Sequence, residues 1–176
     1  MNGALTYLFL DTEWADDQGT ELVSLALISE DGHHRFYAEC AVLPPSPTRF
    51  VAEVVYPLLQ RGAVALDGPA LREALRTFLR TFTQAYVLAD YPNDVRLLRA
   101  VLAGDGTDSR SIPGLVTTVM DKEGSTAEWV EAWFVAHPML AARRHHALVD
   151  AQALRMAWRV ATGRITVDEW CGASPD

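Results

Sequence analysis

The stretch Leu5-Thr6-Tyr7-Leu8-Phe9-Leu10-Asp11-Thr12-Glu13-Trp14 constrains the fold more than any other part of the chain. Five of the six residues from Leu5 to Leu10 are apolar or aromatic, with no Gly or Pro among them. That is the pattern of a strand buried in the middle of a sheet. The run ends on Asp11 and Glu13, and on an extended backbone residues i and i+2 point to one face. Two carboxylates then stand side by side at the carboxyl end of a buried strand. Like charges so placed are costly unless a cation neutralises them, and hard divalent ions such as magnesium or manganese prefer carboxylate oxygens. A D-x-E triple also arises by chance roughly once in a few hundred residues, and the chain holds a second, Asp121-Lys122-Glu123. A metal site therefore needs partners elsewhere in the chain.

A length of 176 residues predicts one domain, residues 1–176, large enough to bury a sizeable core. Apolar residues make up 49% and charged residues 22%, which is globular usage rather than disorder. No apolar run reaches the length of a membrane span, so no membrane partner is expected. The apolar opening is brief and lacks a basic leader, which argues against a signal peptide and for a cytoplasmic location. Cys40 and Cys171 form no C-x-x-C pair, so neither a zinc site nor a disulfide framework is expected. The net charge of -8 argues against a broad basic surface that coats nucleic acid, but allows a small site where metal ions supply the positive charge.

The rest of the chain reads as strands and helices in a mixed order. Glu21 to Ser29 and His34 to Val42 predict two further strands around the turn Glu30-Asp31-Gly32, forming an antiparallel hairpin. After the rigid Pro44–Pro47 loop, Thr48 can cap a helix whose apolar face is Val51, Val54, Val55, Leu58 and Leu59, kinked or ended by Pro57. Pro69 opens a second helix with Leu71, Leu75, Phe78, Leu79 and Phe82 on one face. Ala85 to Ala89 is a strand, and a helix begins near Asn93 or Asp94 and closes before Gly104. A polar loop from Gly104 to Pro113 leads to a strand over Leu115 to Met120. Ser125 and Glu128 form a capping box for a helix carrying Trp129 and Trp133. An irregular loop from Pro138 to His146 precedes a last long helix, Ala147 to Thr162. The expected fold is α/β: a mixed five-stranded sheet, its first three strands antiparallel, flanked by helices.

Two stretches bring acids that the first pair could use. Asp94 falls in the first turn of a helix, where an Asp also serves as a cap. Asp150 lies beside Leu148, Ala151 and Leu154 on the apolar side of the last helix, where an acid should not be left unpaired. His145, five residues earlier, sits in the preceding loop and could swing over the same site, although a histidine in such a loop is more often a surface residue. Trp14 has two readings as well, core packing or stacking on a nucleobase.

D-x-E ending the first strand, an Asp opening a central helix, and H-x-x-x-x-D near the C terminus resemble the three motifs of the DEDDh (DnaQ-like) 3′→5′ exonucleases. His145-His146-Ala147-Leu148-Val149-Asp150-Ala151 is the most specific match. The opening Asp-Thr-Glu followed by an aromatic, together with the short length, is similar to small bacterial exoribonucleases of that family. Asp90 stands where the family often has Asn, and Asn93 where it usually has an aromatic. The resemblance implies a ribonuclease-H-like fold and a two-ion site for Mg2+ or Mn2+. It implies that Asp11 bridges the ions, Glu13 and Asp150 help hold the first, and Asp94 reaches the second largely through water. His145 is implied as general base, and Thr12 and Trp14 as substrate contacts. The implied partner is nucleic acid, RNA ahead of DNA, and a homodimer is allowed. The rival expectations are a DNA exonuclease or nucleotide phosphohydrolase of the same fold, and a non-catalytic nucleic-acid-binding protein.

Overall fold

The computed structural model describes residues 5–104, 112–120 and 125–172, with the backbone alone at 171 and 172. Asp121, Glu123 and most of the polar loop expected between Gly104 and Pro113 lie outside the described residues. At its centre is β1, Leu5–Trp14. It pairs antiparallel with β2, Leu22–Ser29, which pairs antiparallel with β3, Arg35–Cys40. The first three strands are therefore antiparallel, as their turn residues predict. A two-residue strand, β4 (Ala65–Leu66), runs parallel to β3 at one edge. On the other side of β1, β5 (Gln84–Ala89) and β6 (Leu115–Val119) follow in parallel. The order is β4-β3-β2-β1-β5-β6.

The sheet thus has six strands among the described residues, not the five expected. Ala65 and Leu66 are too short a pair to show any periodicity, and only the edge of β3 makes them a strand. The irregular loop expected from Pro138 to His146 also holds one helical turn, α4 (Pro138–Ala141). Pro at its start, with φ already set for a helix, favours that turn.

Period-2 alternation sorts the sheet's two faces. Leu8 and Leu10 of β1, with Leu25, Leu27, Val87 and Ala89, pack under α1 (Gly68–Leu79) and α2 (Pro92–Ala103). Phe9, Ala26, Ile28 and Leu88 turn to the opposite face, under α5 (Ala147–Ala161). α3 (Ser125–Ala136) and α6 (Val167–Gly172) cover α5 from outside, with Trp133 fully buried among them. Asp67 caps α1 by accepting from Ala70 N at 2.8 Å. The helix expected after the Pro-rich loop forms as a wide π-type turn, Val51–Val55, then a 3-10 turn, Tyr56–Leu58. Thr48 Oγ1 accepts from Val51 N at 3.3 Å, and Leu59 is already extended. Pro57 ends that helix by having no N–H to continue it.

A buried acid anchors β3. Glu39 is 0% exposed and accepts from Tyr37 Oη (2.7 Å), Gln60 N (2.7 Å), Arg61 N (3.0 Å) and Arg61 Nη1 (3.3 Å). Removing the carboxylate strips the Tyr37 hydroxyl and the Gln60 and Arg61 N–H groups of this acceptor, while Arg61 Nη1 keeps Cys40 O at 3.0 Å, so Glu39→Ala should cost about 3 kcal/mol of stability. Urea unfolding measures it, and a loss under about 1 kcal/mol would show that water replaces the acceptor.

Candidate active site

The two neighbours of β1 stop at different places, and this makes the site. Pairing with β5 ends at Phe9 opposite Leu88, while pairing with β2 continues to Trp14 opposite Leu22. The second half of β1 is therefore bordered by a strand on one side and by an open cleft on the other. Asp11 and Glu13 share the α5 face of β1 with Phe9, as the i, i+2 rule predicts. A pocket of about 540 Å³ opens there, lined by Asp11, Glu13, Asp90, Asp94, His145 and Asp150.

Each remaining acid arrives on a different element. Asp94 is in the first turn of α2 and only 1% exposed. Its Oδ1 accepts from Thr12 N (3.1 Å) and Thr12 Oγ1 (2.7 Å), while its Oδ2 has no hydrogen-bond partner. Asp150, in the first turn of α5, accepts from His145 N at 2.9 Å through Oδ2 and leaves Oδ1 unpartnered. Asp11 Oδ2 is likewise buried without a partner. These inward-facing oxygens are the polar groups a folded chain should not leave unsatisfied.

The ligand-type atoms fall into two sets. Glu13, His145 and Asp150 each offer one atom, all within 4.8 Å of one another, and Asp11, Asp90 and Asp94 do the same. The electrostatics carry the strain of this crowding. Burial, then the charges of Asp150 and Asp94, holds Asp11 well above the usual carboxylate range and pushes Glu13 up to about 9. Burial raises Asp94 and Asp150 to about 7 each, against the hydrogen bonds from Thr12 and from His145 N respectively. Such a cluster is relieved by protons or by cations. All-oxygen carboxylate donors with one imidazole fit a hard divalent ion such as Mg2+ or Mn2+ better than a thiolate-loving one.

His145 and His146 have separate surroundings. His145 has a left-handed backbone, φ 72°, and its ring stands edge-on to Phe50 at 4.9 Å. Burial, then the neighbouring Arg144 charge, lowers its pKa, so the ring is neutral at neutral pH. Arg144 is itself held by Glu131 at 2.5 and 2.9 Å. His146 points away from the pocket. It is 2% exposed, stacks on Tyr37 at 4.6 Å and lies 3.3 Å from Gln60 Nε2.

The structure thus brings Asp11, Glu13, Asp94, His145 and Asp150 into one pocket. Thr12 lines the same pocket, and both its N–H and its hydroxyl donate to Asp94 Oδ1. Trp14 lines the pocket and stacks on Tyr91 at 5.5 Å. Sequence reasoning did not place Asp90, Phe50 or Tyr91 at the site. Asp90 was findable, because it precedes Asp94 by four residues across a strand-to-helix turn. Phe50 carried no signal, since only the packing of the segment after the Pro-rich loop brings it to His145. Neither a protein-family model nor a curated protein matches the chain.

Proposed function

We propose that the chain is a divalent-metal-dependent 3′→5′ exoribonuclease of ribonuclease-H-like fold, cleaving phosphodiester bonds at single-stranded or overhanging 3′ ends. The observation that carries this reading is the meeting of three distant stretches, Asp11-x-Glu13, Asp94 and His145-x4-Asp150, in one pocket with unpartnered carboxylate oxygens. Asp11 belongs to one ligand set and lies on the same strand face as Glu13 of the other, so it would be in position to serve both ions. Glu13 and Asp150 would hold one, and Asp94, fixed by Thr12, would serve the other. Two such ions, when bound, stabilise the attacking and leaving oxygens of an in-line phosphoryl displacement. His145, neutral and at the rim of the acids, accepts the proton of the attacking water. Trp14 and Tyr91 offer an aromatic surface for a terminal base.

The 3′→5′ polarity, the RNA preference and a homodimer are what the motif resemblance implies. No described helix is long and apolar enough to cross a membrane. A second reading, a nucleotide phosphohydrolase, is favoured by one observation: Asp16 and Asp17 also line the pocket. An acidic rim suits a small substrate better than a long polyanion.

A digest of end-labelled RNA and DNA oligomers with matched 3′ overhangs, in Mg2+ or Mn2+, tests these readings together. The expected result is a ladder growing from the 3′ end, faster on RNA, with only a shallow salt dependence because few basic side chains meet phosphates. Faster trimming of DNA overturns the RNA preference. Turnover of mononucleotides alone supports the phosphohydrolase, and binding without cleavage a non-catalytic protein.

A further inference from the structure

We propose that Asp90 is a direct carboxylate ligand of the second divalent ion, completing a three-acid position with Asp11 and Asp94. The assignment rests on the two-ion reading above and adds a ligand to it. Asp90 is the residue immediately after β5, at the point where β1 continues past its neighbour. One oxygen from each of Asp11, Asp90 and Asp94 lies within 4.8 Å of the other two. Oxygens sharing one octahedral magnesium or manganese ion stand about 3–4 Å apart, from metal–oxygen bonds of about 2.1 Å. The trio is therefore close to the spacing that one ion imposes.

A second observation points to the cation. Asp94 is 1% exposed, with Oδ1 held by Thr12, yet its Oδ2 has no hydrogen-bond partner. Oδ2 of Asp11 is in the same condition. Charge matters too. Five carboxylates facing two divalent ions leave one negative charge over. An amide at position 90 would leave none, so this chain should hold its second ion more tightly.

The experiment is a calorimetric titration of Mn2+ into the full chain without nucleic acid, with bound ions counted by electron paramagnetic resonance. Wild type, Asp90→Asn and Asp17→Asn are compared. Asp17 is an exposed acid of the same pocket that lies outside the trio, so its variant removes an equal charge without removing a ligand. Wild type should bind two ions, and Asp90→Asn should weaken the second by at least about 10-fold. Asp17→Asn should leave both affinities as they are. Two ions at wild-type affinity in Asp90→Asn overturn the assignment, as does an equal loss in Asp17→Asn, which makes the effect one of charge alone. If wild type binds fewer than two ions, the assignment falls together with the two-ion reading. If two bind but oligonucleotides are not cleaved, the nuclease reading fails and Asp90 stands as a ligand.

Discussion

Asp11→Asn and Glu13→Gln are each expected to lower kcat on a 3′-labelled oligonucleotide by at least about 10³ in metal-replete buffer, the upper range for deleting one group from a preorganised electrostatic site. The fold should survive, because the lost charges are opposed rather than supported by their surroundings. Asp11, Glu13, Asp94 and Asp150 all have raised pKa values, dominated by burial. In the metal-free protein the folded state therefore keeps protons that the unfolded chain, with ordinary carboxylates, has already released. Stability falls with rising pH wherever the native state binds more protons. The stabilising protons are all in place below the ordinary carboxylate range. They are lost as pH rises through about 7 for Asp94 and Asp150 and about 9 for Glu13. Thermal unfolding of metal-free wild type should accordingly show a Tm that declines across that window. Mg2+ should remove the decline, and Asp11→Asn should flatten it without metal. Near-normal cleavage by either variant would sink the metal-site assignment, whatever the Tm does.

His145→Ala is expected to reduce kcat by roughly 10²–10⁴, the usual worth of a positioned general base. Mn2+ binding should persist, because five carboxylates remain. His145 and Asp150 are coupled through the His145 N–H, a backbone group that alanine keeps. The Asp150 carboxylate should stay in place, which makes the variant a clean test of the ring. Burial and Arg144 hold the ring's pKa below its ordinary value, so the acid limb of the kcat profile should lie below the usual imidazole range. Loss of that limb in His145→Ala would tie it to this side chain. His146→Ala is the contrasting change. Its ring packs on Tyr37 away from the pocket, so it should lower stability before it touches proton transfer. Turnover that survives His145→Ala but not His146→Ala would reverse the two roles.

Much of this arrangement was legible in the residues themselves. The apolar run Leu5 to Leu10 determined a buried strand, and the i, i+2 spacing of Asp11 and Glu13 determined that they share a face. The five-residue step from His145 to Asp150 determined that a loop residue and a helix residue stand together, and 2.9 Å now separates His145 N from Asp150 Oδ2. Such features depend on local geometry, which a short sequence window carries.

What only the tertiary structure decided involves pairs far apart in the chain. Thr12 and Asp94, 82 residues apart, meet because β1 lies beside α2, so a threonine expected at the substrate also secures an acid of the pocket. Periodicity says which residues share a face but not where a neighbouring strand stops. The cleft exists because pairing with β5 ends at Phe9 while pairing with β2 continues to Trp14. Asp90 enters the acid cluster for the same reason. The left-handed backbone at His145 was equally hidden, since a non-glycine residue takes that conformation only when its surroundings hold it there. The sixth strand is two residues long and owes its existence to the edge of β3. Long-range packing selects these features, and no local preference of the chain encodes them.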